Sequence, residues 1–92
     1  MIQITDEFIV NNDKFISSGF GDEIMLMNLE TGDYIGLNSV SADIWMQAEK
    51  QITAQHIIEY LLQQYNVEKE VCKAEVLTAL EQMLEKGLLL KL

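Results

Sequence analysis

The spacing of the apolar residues changes after Leu37, and this change divides the chain into a strand-rich part and a helical part. Before Leu37, short apolar runs are separated by turn signals, and short loops of this kind join antiparallel neighbours. Gly32 can supply the left-handed residue of one such turn. The turn signals are Asn11-Asn12-Asp13, Gly19-Phe20-Gly21-Asp22 and Glu30-Thr31-Gly32-Asp33. Strands are predicted near residues 14–19, 23–29 and 33–37, with a short additional strand at 8–10.

The third strand of this sheet is predicted to lie at an open edge. The run Ile24–Met27 is continuously apolar, which is typical of a central strand, whereas the preceding strand carries Ser17 and Ser18. The order should therefore be 1-2-3, with residues 33–37 outermost. No lysine or proline lies between Tyr34 and Leu37 to block further pairing at this edge.

The helical part is predicted to contain three helices. Asn38 or Ser39 can cap the first helix and Thr53 the second, and Gly87 suits the position just after the third. The helices are expected at about residues 39–48, 53–65 and 68–86. Residues 88–92 form a short apolar tail that suits a last strand.

The third helix has an unusually wide apolar face. At about 100° per residue, its apolar side chains cover roughly 160° of the helix surface, whereas a core-facing stripe needs little more than about 100°. Either the whole face belongs to the core, or part of it forms a second surface. These side chains are Cys72, Val76, Leu77, Ala79, Leu80, Met83 and Leu84.

Length and charge exclude several classes of function. The 92 residues suit one small domain and disfavour a deep substrate cleft. The formal charge is −9, and all six basic residues are lysines, so the planar fork of arginine is missing and nucleic acid is a disfavoured partner. No stretch resembles a membrane span or a secretory signal. One cysteine cannot form an internal disulfide, and we expect a cytoplasmic protein.

No motif for catalysis or metal binding is present. His56 stands alone, with no cysteine or carboxylate at ligand spacing. Cys72 lies on the apolar stripe of the third helix, where a thiol usually packs as a small hydrophobe. We therefore predict no catalytic residue, no metal site and no cofactor.

Two alternative functions can be weighed against the residues. Three strands and three helices suit a winged helix-turn-helix regulator that binds DNA. However, Gln51–Asn66 carry no lysine or arginine that could neutralise DNA phosphates. An acyl or peptidyl carrier would be modified on a serine at a helix start, as Ser39 is. Asn38 stands there instead of the aspartate expected before such a serine.

Several segments together resemble the PqqD family. The run Ile24–Asn38 (IMLMNLETGDYIGLN) and the following Ser41–Trp45 (SADIW) are similar to that family's strand pair "LLNLETGRYYGLN" and helix "AAxIW". Residues 52–67 and 75–88 are similar to its "TVxEIVxxLxxxYDV" and "DVxxFLxxLxxxGLL" segments. The likeness covers about residues 15–90. Asp33 and Ile35 replace an often basic and an often aromatic residue of the family.

This resemblance implies an α+β, winged helix-turn-helix-like domain that acts as a recognition element for ribosomally synthesised and post-translationally modified peptides. Such a domain is a peptide chaperone rather than an enzyme. It binds the leader of a precursor peptide and presents it to a modifying enzyme, often a radical SAM protein, or in lasso-peptide clusters to a leader peptidase and cyclase.

The resemblance also implies where the leader binds. In the family the leader adds as a strand to the 33–37 edge and lies over the third helix, which is β-augmentation. Tyr34 can line the groove or pack in the core, and the open edge also allows a homodimer. Lys69 and Lys73 can pair with acidic leader residues or simply be exposed. The predicted peptide-binding residues are Asp33, Tyr34, Ile35, Gly36, Leu37, Lys69, Cys72, Lys73, Val76, Leu80 and Met83.

Overall fold

The computed structural model describes residues 2–20 and 23–92, so the turn predicted at Gly21 and Asp22 lies outside the described residues. Within the described residues the chain forms six strands and three helices. They are β1 (Glu7–Val10), β2 (Phe15–Phe20), β3 (Glu23–Asn28), β4 (Tyr34–Leu37), α1 (Ser39–Gln47), β5 (Ile52–Thr53), α2 (Ala54–Gln64), α3 (Lys69–Glu85) and β6 (Leu89–Lys91).

The first sheet has the predicted order, with β3 between β2 and β4 and all pairs antiparallel. Leu26 of β3 lies opposite Ser17 on one side and Ile35 on the other, and its side chain is fully buried. Gly32, in the turn between β3 and β4, has the left-handed φ of +78° predicted for it. β4 is therefore an edge strand, as predicted.

A second sheet brings both ends of the chain together. β1 is its central strand and pairs antiparallel with β5 and with β6. The Leu92 N–H donates to the Glu7 carbonyl oxygen (2.9 Å), and the Asn11 side-chain amide donates to the Gly87 carbonyl oxygen (3.0 Å). Strands were expected at both ends from the sequence, but their pairing is a finding of the structure.

Side-chain caps begin two of the helices, as predicted. Asn38 Oδ1 accepts a hydrogen bond from the Ser41 N–H (2.8 Å), and Thr53 Oγ1 accepts one from the His56 N–H (3.1 Å). α3 ends before Gly87, whose φ is +75°, and the Leu88 N–H donates to the Met83 carbonyl oxygen (2.9 Å).

One continuous core lies between the sheets and the helices. Trp45 of α1 is the largest fully buried side chain, and Phe8 of β1 is also completely buried. No described helix has the length and apolar character that a membrane crossing requires. The other fully buried large side chains are Leu26, Ile44, Ile57, Val76, Leu80, Leu88 and Leu89.

We expect Gly87→Ala to lower the free energy of unfolding by about 1–2 kcal/mol, because alanine is strained at a positive φ. The added methyl would meet only Lys14 Nζ at 3.6 Å, so the backbone angle rather than crowding causes the loss. Gly19→Ala is the matched control, since no described atom lies within 4 Å of that methyl and the φ of Gly19 is not positive. Equal urea midpoints for the two variants would contradict this assignment.

Candidate functional site

The free edge of β4 offers unpaired backbone groups at two residues. The Asn28 N–H donates to the Asp33 carbonyl oxygen (2.8 Å), so the backbone of Asp33 points toward β3. In an antiparallel ladder the bonding direction alternates along the strand. Ile35 and Leu37 therefore also bond toward β3, whereas Tyr34 and Gly36 direct their N–H and C=O groups away from the sheet. A strand placed beside β4 would bond to these two residues.

The side chains of β4 alternate between two faces. Ile35 and Leu37 face inward and pack against the core. Tyr34 faces outward, and 68% of its surface is exposed. The sequence left groove lining and core packing open for Tyr34; the structure excludes core packing, and groove lining stays a prediction.

A trough runs from β4 along one flank of α3, and we call it the α3 trough. It consists of three neighbouring cavities of about 120, 370 and 210 Å³. The cavity beside β4 shares Asn38, Ser41 and Gln82 with the middle cavity. The middle cavity shares Val40 and Glu75 with the last one. Because each cavity shares lining residues with the next, the three lie in a row along this flank of α3.

The four apolar α3 residues predicted to bind peptide are buried in the core. The exposed fraction of Cys72, Val76, Leu80 and Met83 does not exceed 4%. Met83 still forms part of the trough floor beside β4, and Cys72 and Val76 form part of the floor at the opposite end. Leu80 lines none of the three cavities, because its side chain is fully buried in the core and a neighbouring face of α3 borders the trough.

The trough wall on α3 is formed instead by residues that the sequence reasoning missed, among them Glu75, Ala79 and Gln82. Ala79 belongs to the wide apolar face noted in the sequence, and it is the member of that face on the trough flank. Leu77 and Leu84 lie on the other flank and pack against the core. Most of the wide face is thus core, and the wheel pattern alone did not show which flank stays open.

The two lysines predicted to pair with a leader do not line the trough. Lys73 lies roughly 160° around the helix from Glu75, at about 100° per residue. Lys69 is the first residue of α3 and is exposed. The basic residue that does line the trough is Lys86, beside β4, whereas Glu75 lines the far end. The trough therefore has charges of opposite sign at its two ends.

The end of the trough far from β4 is built from α1, α2 and α3. The Tyr65 hydroxyl donates to Asp43 Oδ2 (2.6 Å), and this hydrogen bond to a carboxylate raises the pKa of Tyr65. The Cys72 thiol donates a weak hydrogen bond to the Ile58 carbonyl oxygen (Sγ to O, 3.9 Å). Burial and, to a lesser extent, the nearby Glu75 carboxylate raise the pKa of this thiol. The thiol is therefore neutral at pH 7 and packs as an apolar group.

A further cavity of about 600 Å³ lies between the β2–β3 hairpin and α1, and it shares Ser39 and Tyr65 with the last cavity of the trough. Glu23, Asp43 and Glu49 contribute carboxylates to its lining. Among the described residues, however, the histidine, cysteine and acidic side chains nowhere cluster closely enough to hold a metal ion. We place the candidate site at the β4 edge and the α3 trough, because the trough adjoins the free backbone groups of Tyr34 and Gly36.

Comparisons with known proteins agree with this architecture. The sequence model of the family described as coenzyme PQQ synthesis protein D (PqqD) matches residues 23–89. The solved structure "TbiB1 in Complex with the TbiA(beta) Leader Peptide" superposes with a TM-score of 0.79 at 26% sequence identity, covering 88% of this chain and 93% of that chain. No curated protein sequence matches at a significant level. The α+β, winged helix-turn-helix-like fold predicted from the sequence is confirmed.

Proposed function

This chain belongs to the PqqD family, and on that premise we propose that it binds the leader segment of a ribosomally synthesised precursor peptide and delivers it to a modifying enzyme. The observation that carries the proposal is the structural relative, which covers most of both chains and was solved in complex with a leader peptide. The open β4 edge and the adjoining trough supply a binding surface of the required form. Chemistry is assigned to the partner, a radical SAM enzyme or a leader peptidase with its cyclase.

The leader is held first through its backbone. As an added strand beside β4, it exchanges hydrogen bonds with the N–H and C=O groups of Tyr34 and Gly36. Each such hydrogen bond contributes about 0.5–1.5 kcal/mol to the binding free energy, and this contribution does not depend on the leader's side chains. Backbone pairing therefore provides affinity, and selectivity must come from the surfaces beside the strand. A homodimer formed through the same edge would compete with the leader.

Selectivity is assigned to the α3 trough. Leader side chains on the same face as Ile35 and Leu37 point toward the trough. There, Val40 and Ala79 line the middle cavity. Lys86 at the β4 end suits an acidic leader residue, and Glu75 at the far end suits a basic one. This charge arrangement gives the bound leader one preferred direction.

The test first identifies a short open reading frame beside the gene for this chain, and then titrates the chain with the synthetic leader segment which that reading frame encodes. Ala79→Trp fills the middle cavity and should weaken binding at least tenfold. Glu81→Trp adds the same ring on an exposed position of α3 outside the trough and should leave the dissociation constant within twofold of wild type. Isothermal titration calorimetry measures both, and circular dichroism checks that each variant is folded.

Two results would count against the proposal. If the wild-type chain does not bind the leader, leader recognition itself is wrong. If Ala79→Trp and Glu81→Trp both bind as wild type does, the leader does not use the trough. Delivery is tested separately, in the cytoplasmic setting where precursors are translated, by comparing the rate of precursor modification by the neighbouring enzyme with and without this chain.

A further inference from the structure

Gly36 lies inside the edge strand β4, where none of the described residues requires a glycine. Its φ is not positive, so the backbone there does not require glycine. A methyl group added at Gly36 would meet only Met25 Sδ at 3.5 Å, which is ordinary contact. Glycine inside a strand weakens it and often marks a place where a ligand approaches. Neither the backbone angle nor crowding accounts for glycine here, whereas the bare backbone leaves space beside the strand for a ligand.

The outer face of the first sheet carries a row of apolar side chains next to Gly36, which we call the outer shelf. Met25 lies directly opposite Gly36 on β3, and Met27 lies between Ile16 of β2 and Tyr34 of β4. Both methionines are half-buried, whereas 52% of the Ile16 surface and 68% of the Tyr34 surface are exposed. This shelf ends at Gly36, on the free edge of the sheet.

An added strand would place one residue directly beside Gly36, about 4.8 Å away. Residues opposite each other on neighbouring strands direct their side chains to the same face, so this side chain would lie on the outer face, outside the trough. Because Gly36 has no side chain, the side chain of the added residue can reach the sulfur of Met25, which lies 3.5 Å from where a Cβ of residue 36 would be. Tyr34 borders the same space from one side.

Aromatic side chains suit this space best. A flat ring can lie across the bare backbone of a strand glycine, as aromatic residues do opposite glycines at sheet edges. Thioether sulfur makes favourable contacts with ring edges, and Tyr34 adds a second ring to pack against. Resting on the function proposed above, we infer that the leader carries an aromatic residue opposite Gly36, whose ring lies over Gly36 and packs on Met25.

The experiment selects binders from an mRNA-display library of random 16-residue peptides against the wild-type chain. Peptides that shift the amide NMR signals of Tyr34 and Gly36 are retained as edge binders. We expect these peptides to be enriched in phenylalanine, tyrosine or tryptophan at one position. Replacing that aromatic residue with alanine should weaken binding about tenfold to the wild-type chain, and less than threefold to Met25→Ala.

Met27→Ala is the matched control, since Met27 lies on the same strand and face but opposite Tyr34 rather than Gly36. Replacing the aromatic residue of the peptide with alanine should still weaken its binding to the Met27→Ala protein about tenfold. Thermal melts verify that both protein variants fold. Edge binders without an aromatic preference, or an equal loss in Met25→Ala and wild type, would overturn this inference and leave leader binding intact. Selected peptides that never shift the Tyr34 and Gly36 signals would overturn the β4 binding mode as well.

Discussion

Gly36→Pro should weaken leader binding at least tenfold while leaving the sheet paired. The Gly36 N–H points to the free edge, and proline removes this donor and places its ring where the added strand must approach. Proline is tolerated on an edge strand when its nitrogen faces outward, and Ile35 and Leu37 keep the bonds between β3 and β4. One lost hydrogen bond of about 1–1.5 kcal/mol already corresponds to roughly tenfold in affinity. Fluorescence anisotropy of a labelled leader measures the change.

Two variants separate the backbone effect from other causes. Gly36→Ala keeps the N–H donor, so it should lose less affinity than Gly36→Pro. Ile35→Pro removes a donor that bonds to β3, and it should lower the melting temperature rather than affect binding alone. Wild-type affinity in Gly36→Pro would show that the leader does not pair with β4.

Trp45→Ala should lower the free energy of unfolding by about 3–5 kcal/mol, because it removes the largest buried side chain and leaves a cavity. A chain of this length has a total stability of about 5–14 kcal/mol, so the variant is expected to be partly unfolded near physiological temperature. Since Trp45 is the only tryptophan, urea unfolding must be followed by circular dichroism rather than by tryptophan fluorescence.

The control for this prediction is Met46→Ala, one residue further along α1. Half of the Met46 surface is exposed, and we expect a loss of no more than about 1 kcal/mol. Equal urea midpoints for the two variants would mean that Trp45 does not hold α1 against the core.

Features that depend on neighbouring residues were predictable. The turn at Gly32, the caps at Asn38 and Thr53 and the end of α3 at Gly87 follow from local backbone preferences and side-chain hydrogen bonds. The edge position of β4 followed from the apolar run in β3, which is typical of a central strand, and from the short turns that pair neighbouring strands.

Features that depend on distant parts of the chain were not predictable. Phe8 lies opposite both Ile52 and Lys91, and no local pattern specifies a pairing across more than 80 residues. The apolar arc of α3 likewise did not reveal that Leu80 faces the core while Ala79 borders the trough. That choice depends on how α1 and the sheet pack against the helix.

The sequence by itself predicted the strands and helices other than the short β5, the outermost strand of the first sheet, and the family to which the chain is similar. These follow from period, turn chemistry and local capping, which act over a few residues. Only the tertiary structure decided that Tyr34 and Gly36 offer their backbone groups, that Lys86 and Glu75 line the trough instead of Lys69 and Lys73, and that Gly36 adjoins Met25. Each of these depends on register and packing between segments, which single-residue preferences do not encode.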